Sequence, residues 1–194
     1  MGEPGKPGAA TAPAVSAAVS VEIKREHLDF YKALEQGVKP APESALAKAK
    51  AAGAQVTTLT ATSPLLHIDF LTGVSACTDD KLDALLPLAD NIAQLDLGRT
   101  AVTDAGMATI AKLPRLARLD LRGTKVTDTG LESLTKLTKL QSLNLYGSEV
   151  TDAGLAVVSK IKSLHKVFVF QTKVTEAAAK KAMAGSPTLE VVIK

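Results

Sequence analysis

The chain has 194 residues, 46% hydrophobic and 22% charged, and its 23 basic and 20 acidic side chains leave a net charge of +3. Such a chain can bury a core of its own, and so even a charge balance lacks the basic surplus of a dedicated nucleic-acid binder. The single cysteine, Cys77, excludes an internal disulfide framework, a multi-cysteine zinc site and a Cys-x-x-Cys-His haem attachment within this sequence, and no apolar run approaches the roughly 20 residues needed to cross a bilayer.

Residues 1–21 are Ala, Pro, Gly and Ser with hardly a large apolar side chain. That composition cannot offset the entropy of ordering, so a disordered linker is expected there. A secretory signal fits less well, because the Ala/Val stretch lacks Leu and Phe and is broken by Pro13 and Ser16. A linker of this kind suits a domain cut from a longer chain. Residues 22–55 predict a helical N-terminal cap. Ile23, Leu28, Tyr31 and Leu34 share one side of a helix that Gly37 stops, and a second helix runs from Pro42 to Ala52 with Gly53 as its stop. Val56 and Leu59 then mark a short strand and suggest a degenerate first copy of a repeating unit.

Repetition dominates the remainder of the chain. Val102-Thr103-Asp104 recurs at 126–128 and 150–152, then as Val174-Thr175-Glu176, each copy 24 residues after the last. The apolar frame keeps the same step: Leu95, Leu119, Leu143 and Val167; Leu97, Leu121, Leu145 and Val169; Ile110, Leu134 and Val158. The first half of each unit alternates with period 2 and predicts a strand, while the second half spaces its apolar residues as a helix does. Thr103, Thr127 and Thr151 stand where a hydroxyl caps a helix, and Asp104, Asp128 and Asp152 follow in the first turn, where the helix dipole favours a carboxylate. Gly106, Gly130 and Gly154 fall inside the helix at about 1 kcal/mol each relative to Ala, so each is expected where the helix packs close to its neighbour. Upstream, Leu65, Ile68, Phe70, Thr78, Asp79, Leu82, Leu85 and Leu88 match the frame with a longer loop around Thr72 to Ala76. A strand and helix this small cannot bury a core alone, but stacked copies share one.

Leu95, Leu97, Thr100, Val102, Thr103, Asp104, Gly106 and their later counterparts match the leucine-rich-repeat motif, and residues 56–194 resemble a leucine-rich-repeat domain. The resemblance implies an α/β solenoid of five to six units, with a parallel β-sheet on the concave face and short helices on the convex face. The V-T-D-x-G-L flavour is similar to bacterial repeats abundant in planctomycetes. Leu143-Asn144-Leu145-Tyr146-Gly147, the run from Val167 to Thr175, and the lead-in from Lys50 to Val56 resemble the C-terminal repeat tail of bacterial membrane-anchored c-type cytochrome proteins. That second resemblance implies the periplasmic side of a membrane and a c-type cytochrome domain as partner. The membrane helices and haem segment that precede such repeats do not occur in this sequence, so electron transfer is not assigned to this polypeptide.

In leucine-rich repeats, function usually lies on strand residues between the leucines. Those positions form three rows: His67, Gln94, Arg118, Ser142, Lys166; Asp69, Asp96, Asp120, Asn144, Phe168; and Leu71, Gly98, Arg122, Tyr146, Phe170. Tyr146, Phe168 and Phe170 are half of the six aromatics in the chain. With Arg122 and Lys166 beside them they form either aromatic anchors rimmed by charge or a lid over the C-terminal end of the core. Asp69, Asp96 and Asp120 form a carboxylate ladder that a cation could occupy or that Arg118 and Arg122 neutralise, the second being favoured. His27, His67 and His165 lack metal-ligand spacing, and Cys77, in a repeat loop, suits a turn or a small buried hydrophobe better than a nucleophile. No Gly-x-Ser-x-Gly, Walker loop or dinucleotide fingerprint occurs. The expectation is a non-catalytic protein-binding module without metal or cofactor, contacting its partner through Arg118, Asp120, Arg122, Asn144, Tyr146, Lys166, Phe168 and Phe170. The alternative is a repeat domain accessory to a membrane-anchored c-type cytochrome in the cell envelope.

Overall fold

A computed structural model describes residues 28–70 and 77–193. The linker expected at 1–21, the start of the first helix, the loop at 72–76 and Leu71 lie outside the described residues. The chain forms two compact units that divide between Gln36 and Gly37. In the first, residues 28–35 are helical (α1), and the rings of Phe30 and Tyr31 meet edge to face at 5.4 Å. Among the described residues no helix is long and apolar enough to cross a membrane.

The second unit opens with α2 (Glu43–Ala51), which Gly53 follows at φ +99°, and α2 turns Ala45 and Ala49 into the core. Seven strands then lie side by side in chain order: β1 (Gln55–Thr58), β2 (Leu66–Asp69), β3 (Ile92–Asp96), β4 (Arg118–Asp120), β5 (Ser142–Asn144), β6 (Lys166–Phe168) and β7 (Glu190–Val192). From β2 onward every pairing is parallel, with Leu95, Leu119, Leu143, Val167 and Val191 in one row. Each crossover carries a helix: α3 (Asp104–Ile110), α4 (Asp128–Leu134), α5 (Asp152–Val158) and α6 (Glu176–Gly185). The aliphatic rungs of strands and helices merge into one core that runs the length of the stack, as a solenoid requires.

Two elements depart from the sequence reading. β1 pairs with β2 antiparallel, Val56 opposite Ile68, so Val56 and Leu59 belong to a hairpin and not to a degenerate copy of the repeat. The reason is length: a parallel crossover takes a dozen or more residues, and only Leu59 to Leu65 join the two strands. The helical half of the first coil, Asp79–Leu88, is a 3₁₀ helix holding Pro87, whose missing N–H cannot serve an α-helical ladder. It still buries Leu82, Leu85 and Leu88.

The turn leaving each strand also repeats. Arg99, Gly123, Gly147 and Gln171 occupy equivalent positions at φ between +57° and +64°, where glycine is unstrained and Arg or Gln is not. One residue on, the hydroxyls of Thr100, Thr124, Ser148 and Thr172 donate to the carbonyls of Leu97, Leu121, Leu145 and Val169 at 2.6 to 2.8 Å. This satisfies the only side-chain polar atom of each in a buried or half-buried place.

Candidate binding face

On the helical side the recurring Thr-Asp pair does more than start helices. The Thr103, Thr127 and Thr151 hydroxyls accept from the backbone N–H of Ala105, Thr129 and Ala153. Each also donates to the aspartate of the preceding coil: Thr103 to Asp79 at 2.7 Å, Thr127 to Asp104 and Thr151 to Asp128 at 2.6 Å. The second oxygen of each aspartate accepts from the backbone N–H of the same threonine, at 2.7 to 2.9 Å. Asp152 and Thr175 make a fourth such pair at 2.6 and 2.9 Å. Every aspartate is thus a two-point clamp between coils, built of charge-assisted bonds.

The glycines are the space the clamp needs. A Cβ on Gly130 would collide with the Asp104 carboxylate and with Met107 Cγ at 2.9 Å; on Gly106 it would meet Asp79 Oδ1 at 2.5 Å and Leu82 Cδ1 at 2.7 Å. The close approach expected from the sequence is there. That the neighbour is chiefly a carboxylate could have been suspected from the joint recurrence of Asp and Gly.

The opposite face of the sheet divides in two. Over β3 to β5 the middle row of Asp96, Asp120 and Asn144 is tied together by hydrogen bonds, while on β2 the buried Nδ1 of His67 has no hydrogen-bond partner among the described residues. Asp96, Asp120 and Asn144 each accept from the backbone N–H two residues on, that of Gly98, Arg122 and Tyr146, at 2.8 to 3.0 Å. Their other oxygens reach across coils: Arg122 Nη2 donates to Asp96 Oδ2 and Asn144 Nδ2 to Asp120 Oδ2, both at 2.9 Å. His67 Nε2 lies 3.8 Å from Asp69 Oδ2. Asp96 and Asp120 of the carboxylate row are therefore held by Arg122 and Asn144, and not by Arg118 as the sequence reading expected. Arg118 has no ion-pair partner among the described residues and sits exposed, beside a depression of about 190 Å³ that also involves His67, Gln94 and Asp96.

Asp120 is the correction to the expected contact set. It lies on the outer face but is only 5% exposed, because Arg122 and Asn144 close over it, and its carboxylate is fully engaged. It supports the surface and does not present itself there. Among the described residues no cluster of three or more His, Cys, Asp or Glu side chains is grouped to hold a metal.

Where Phe168 replaces the Asp/Asn of that row, the ladder stops and an aromatic patch begins. Tyr146 and Phe170, on adjacent coils, have ring centroids 5.6 Å apart and are 37% and 42% exposed. Phe168 is half-buried, with Lys166 Nζ 5.4 Å from its ring centre, within cation–π range. Lys166 is also bonded to Glu190 at 3.0 Å. The eight expected contact residues thus sort into an exposed or half-exposed set (Arg118, Arg122, Asn144, Tyr146, Lys166, Phe168, Phe170) and the covered Asp120.

Cys77 is 1% exposed, and burial pushes its thiol up to about 11; Asp79 and Asp80 add to this and Lys81 opposes it. A sealed thiol with that pKa is a core residue, inert at neutral pH.

Taken together, the architecture is an α/β solenoid with a parallel sheet on one side and short helices on the other. A leucine-rich repeat family model matches residues 115–134 and 136–159, the coils that carry β4 with α4 and β5 with α5. Among solved structures the chain is similar to the leucine-rich-repeat ectodomain of the Arabidopsis receptor kinase HAESA, crystallised with an N-terminally extended IDA peptide hormone. The TM-score is 0.43 at 19% identity, over 60% of this chain and 19% of that one. It is also similar to an internalin (InlF) from Listeria monocytogenes, with a TM-score of 0.38 at 19% identity over 55% of this chain and 36% of that one. The chain therefore spans well under half the length of either. No curated protein matches it in sequence.

Proposed function

We propose that this chain is a non-catalytic protein-binding module whose partner docks on the C-terminal half of the outer sheet face. The observation that carries the reading is the adjacent, exposed pair Tyr146 and Phe170, whose rings meet at a tilt of 35°. Apart from Leu28 in the other unit, they are the only large hydrophobic residues exposed among the described residues. Solenoid sheets supply extended binding surfaces, and aromatic anchors beside charged groups are the usual energetic centre of an interface. Arg118, Arg122, Asn144 and Lys166 form the polar surround.

The competing role for the rings, as a lid on the end of the core, is disfavoured by their position. β7 and α6 lie beyond them, and the Val169 N–H already donates to the Val192 carbonyl at 2.9 Å. The test is quantitative capture from the native cell extract on immobilised wild-type protein and on a Tyr146→Ala/Phe170→Ala variant of equal melting temperature. Proteins held by the first and lost at least tenfold on the second support the proposal. Identical retention on both contradicts it.

A further inference from the structure

A second surface lies on the helical side, between α5 and α6, and has nothing to do with the sheet face. There a groove of about 670 Å³ opens, with Ala156, Ala178, Ala182 and Gly185 on its walls and Lys160, Lys162 and Lys181 around it. Pockets of several hundred Å³ are the size that binds ligands and side chains.

Its origin can be read from the repeat. In three coils the position facing the preceding aspartate is glycine; in the last it is Ala178. A Cβ at the equivalent Gly154 would drive into the Asp128 carboxylate, Val150 Cγ1 at 2.8 Å and Leu131 Cδ1 at 3.0 Å, so the neighbour must move. The cap of α6 is altered accordingly. Thr175 sits at φ −87° and ψ 155°, against −114° and −174° for Thr151, and accepts from the N–H three residues on, not two. The same helix is truncated at its core positions: where the preceding coil has Leu155, Val158 and Ile161, it has Ala179, Ala182 and Gly185. The groove opens where Ala178 adds a methyl and where Ala182 and Gly185 lack the side chains that Val158 and Ile161 carry one coil earlier.

We infer that this groove docks an acidic segment of a partner protein, its aliphatic side chains replacing the missing rung and its carboxylates meeting the lysines. Charge complementarity selects that occupant. The one carboxylate among the lining residues, Asp152, is already spent on two bonds from Thr175, whereas Lys160, Lys162 and Lys181 make no ion pair among the described residues. Laying the apolar stripe of a helix into a groove is an established mode of peptide recognition.

Two synthetic helical peptides test it, one with Leu at every third or fourth position among Glu, the other with Lys in place of Glu. Each is titrated into the full chain while the alanine methyl resonances are followed by NMR. The Glu peptide is expected to shift the methyls of Ala156, Ala178 and Ala182 at least tenfold more tightly than the Lys peptide. The response should vanish in Lys160→Glu/Lys181→Glu and in the groove-filling variant Ala182→Leu, and fall in Ala178→Gly, which lets α6 close up. Tyr146→Ala/Phe170→Ala should leave it intact, which separates this groove from the sheet face. Equal response to both peptides, or persistence in Ala182→Leu, overturns the inference. So does a response to dodecanoate without one to the Glu peptide, which would give the groove to a small anionic amphiphile.

Discussion

The helical side and the outer sheet face of this solenoid use repetition in opposite ways. On the helical side the same three residues, Thr, Asp and Gly, recur in three successive coils and close the same clamp. On the sheet face the frame positions are constant but the residues between them change from coil to coil, from Asp96 through Asn144 to Phe168. Periodic residues hold the stack together, and residues that break the period are free to do something else. Asp120 shows that the division is not simply one of sides. It belongs to the outer face, yet it stands within a run of similar residues and is consumed in holding its neighbours.

The largest effect expected is at a clamp. Asp104→Ala removes two charge-assisted bonds and strands the Thr127 N–H and hydroxyl, which should lower the unfolding free energy by about 3 kcal/mol. Urea unfolding reads it, and a change under about 1 kcal/mol would reduce the clamp to decoration.

Next comes the sealed interior beside the first clamp. The folded pKa of Cys77, about 11, exceeds the ordinary 9.0 because burial disfavours the thiolate. The unfolded chain therefore loses its proton first as pH rises. The stabilising contribution is complete below pH 9 and is lost on the way to 11, worth about 2 to 3 kcal/mol in the difference between wild type and Cys77→Ala. A constant difference across that same pH range would mean that the thiol meets water.

A smaller effect sharpens the role of the glycines. Gly130→Ala should destabilise by about 1 to 2 kcal/mol although alanine is the better helix former, since its methyl displaces the Asp104 carboxylate. In an Asp104→Ala background the penalty should shrink, a coupling that a double-mutant cycle measures. Additive effects would place the clash elsewhere.

The stack itself was legible because its signal is carried by many residues at one spacing: strands, helix starts and the core row all fall where the 24-residue frame puts them. The antiparallel β1 was not, because Val56 and Leu59 alternate as any strand does and pairing direction depends on loop length. The 3₁₀ geometry of Asp79–Leu88 was signalled only by Pro87. The outward rows were readable by parity, and the crowding at Phe168 and Phe170 with them. The burial of Asp120 was not, because it depends on where Arg122 and Asn144 send their side chains across the coils. The clamp and the α5–α6 groove both lie in contacts between copies, which a single unit's pattern does not contain.

The most direct test of the division between holding and binding residues is the urea unfolding free energy of Tyr146→Ala/Phe170→Ala. If the rings are surface anchors in contact with each other, the loss stays below about 1.5 kcal/mol. A loss above about 3 kcal/mol, the cost of emptying a core position, would make them part of the interior and contradict the assignment of the binding face.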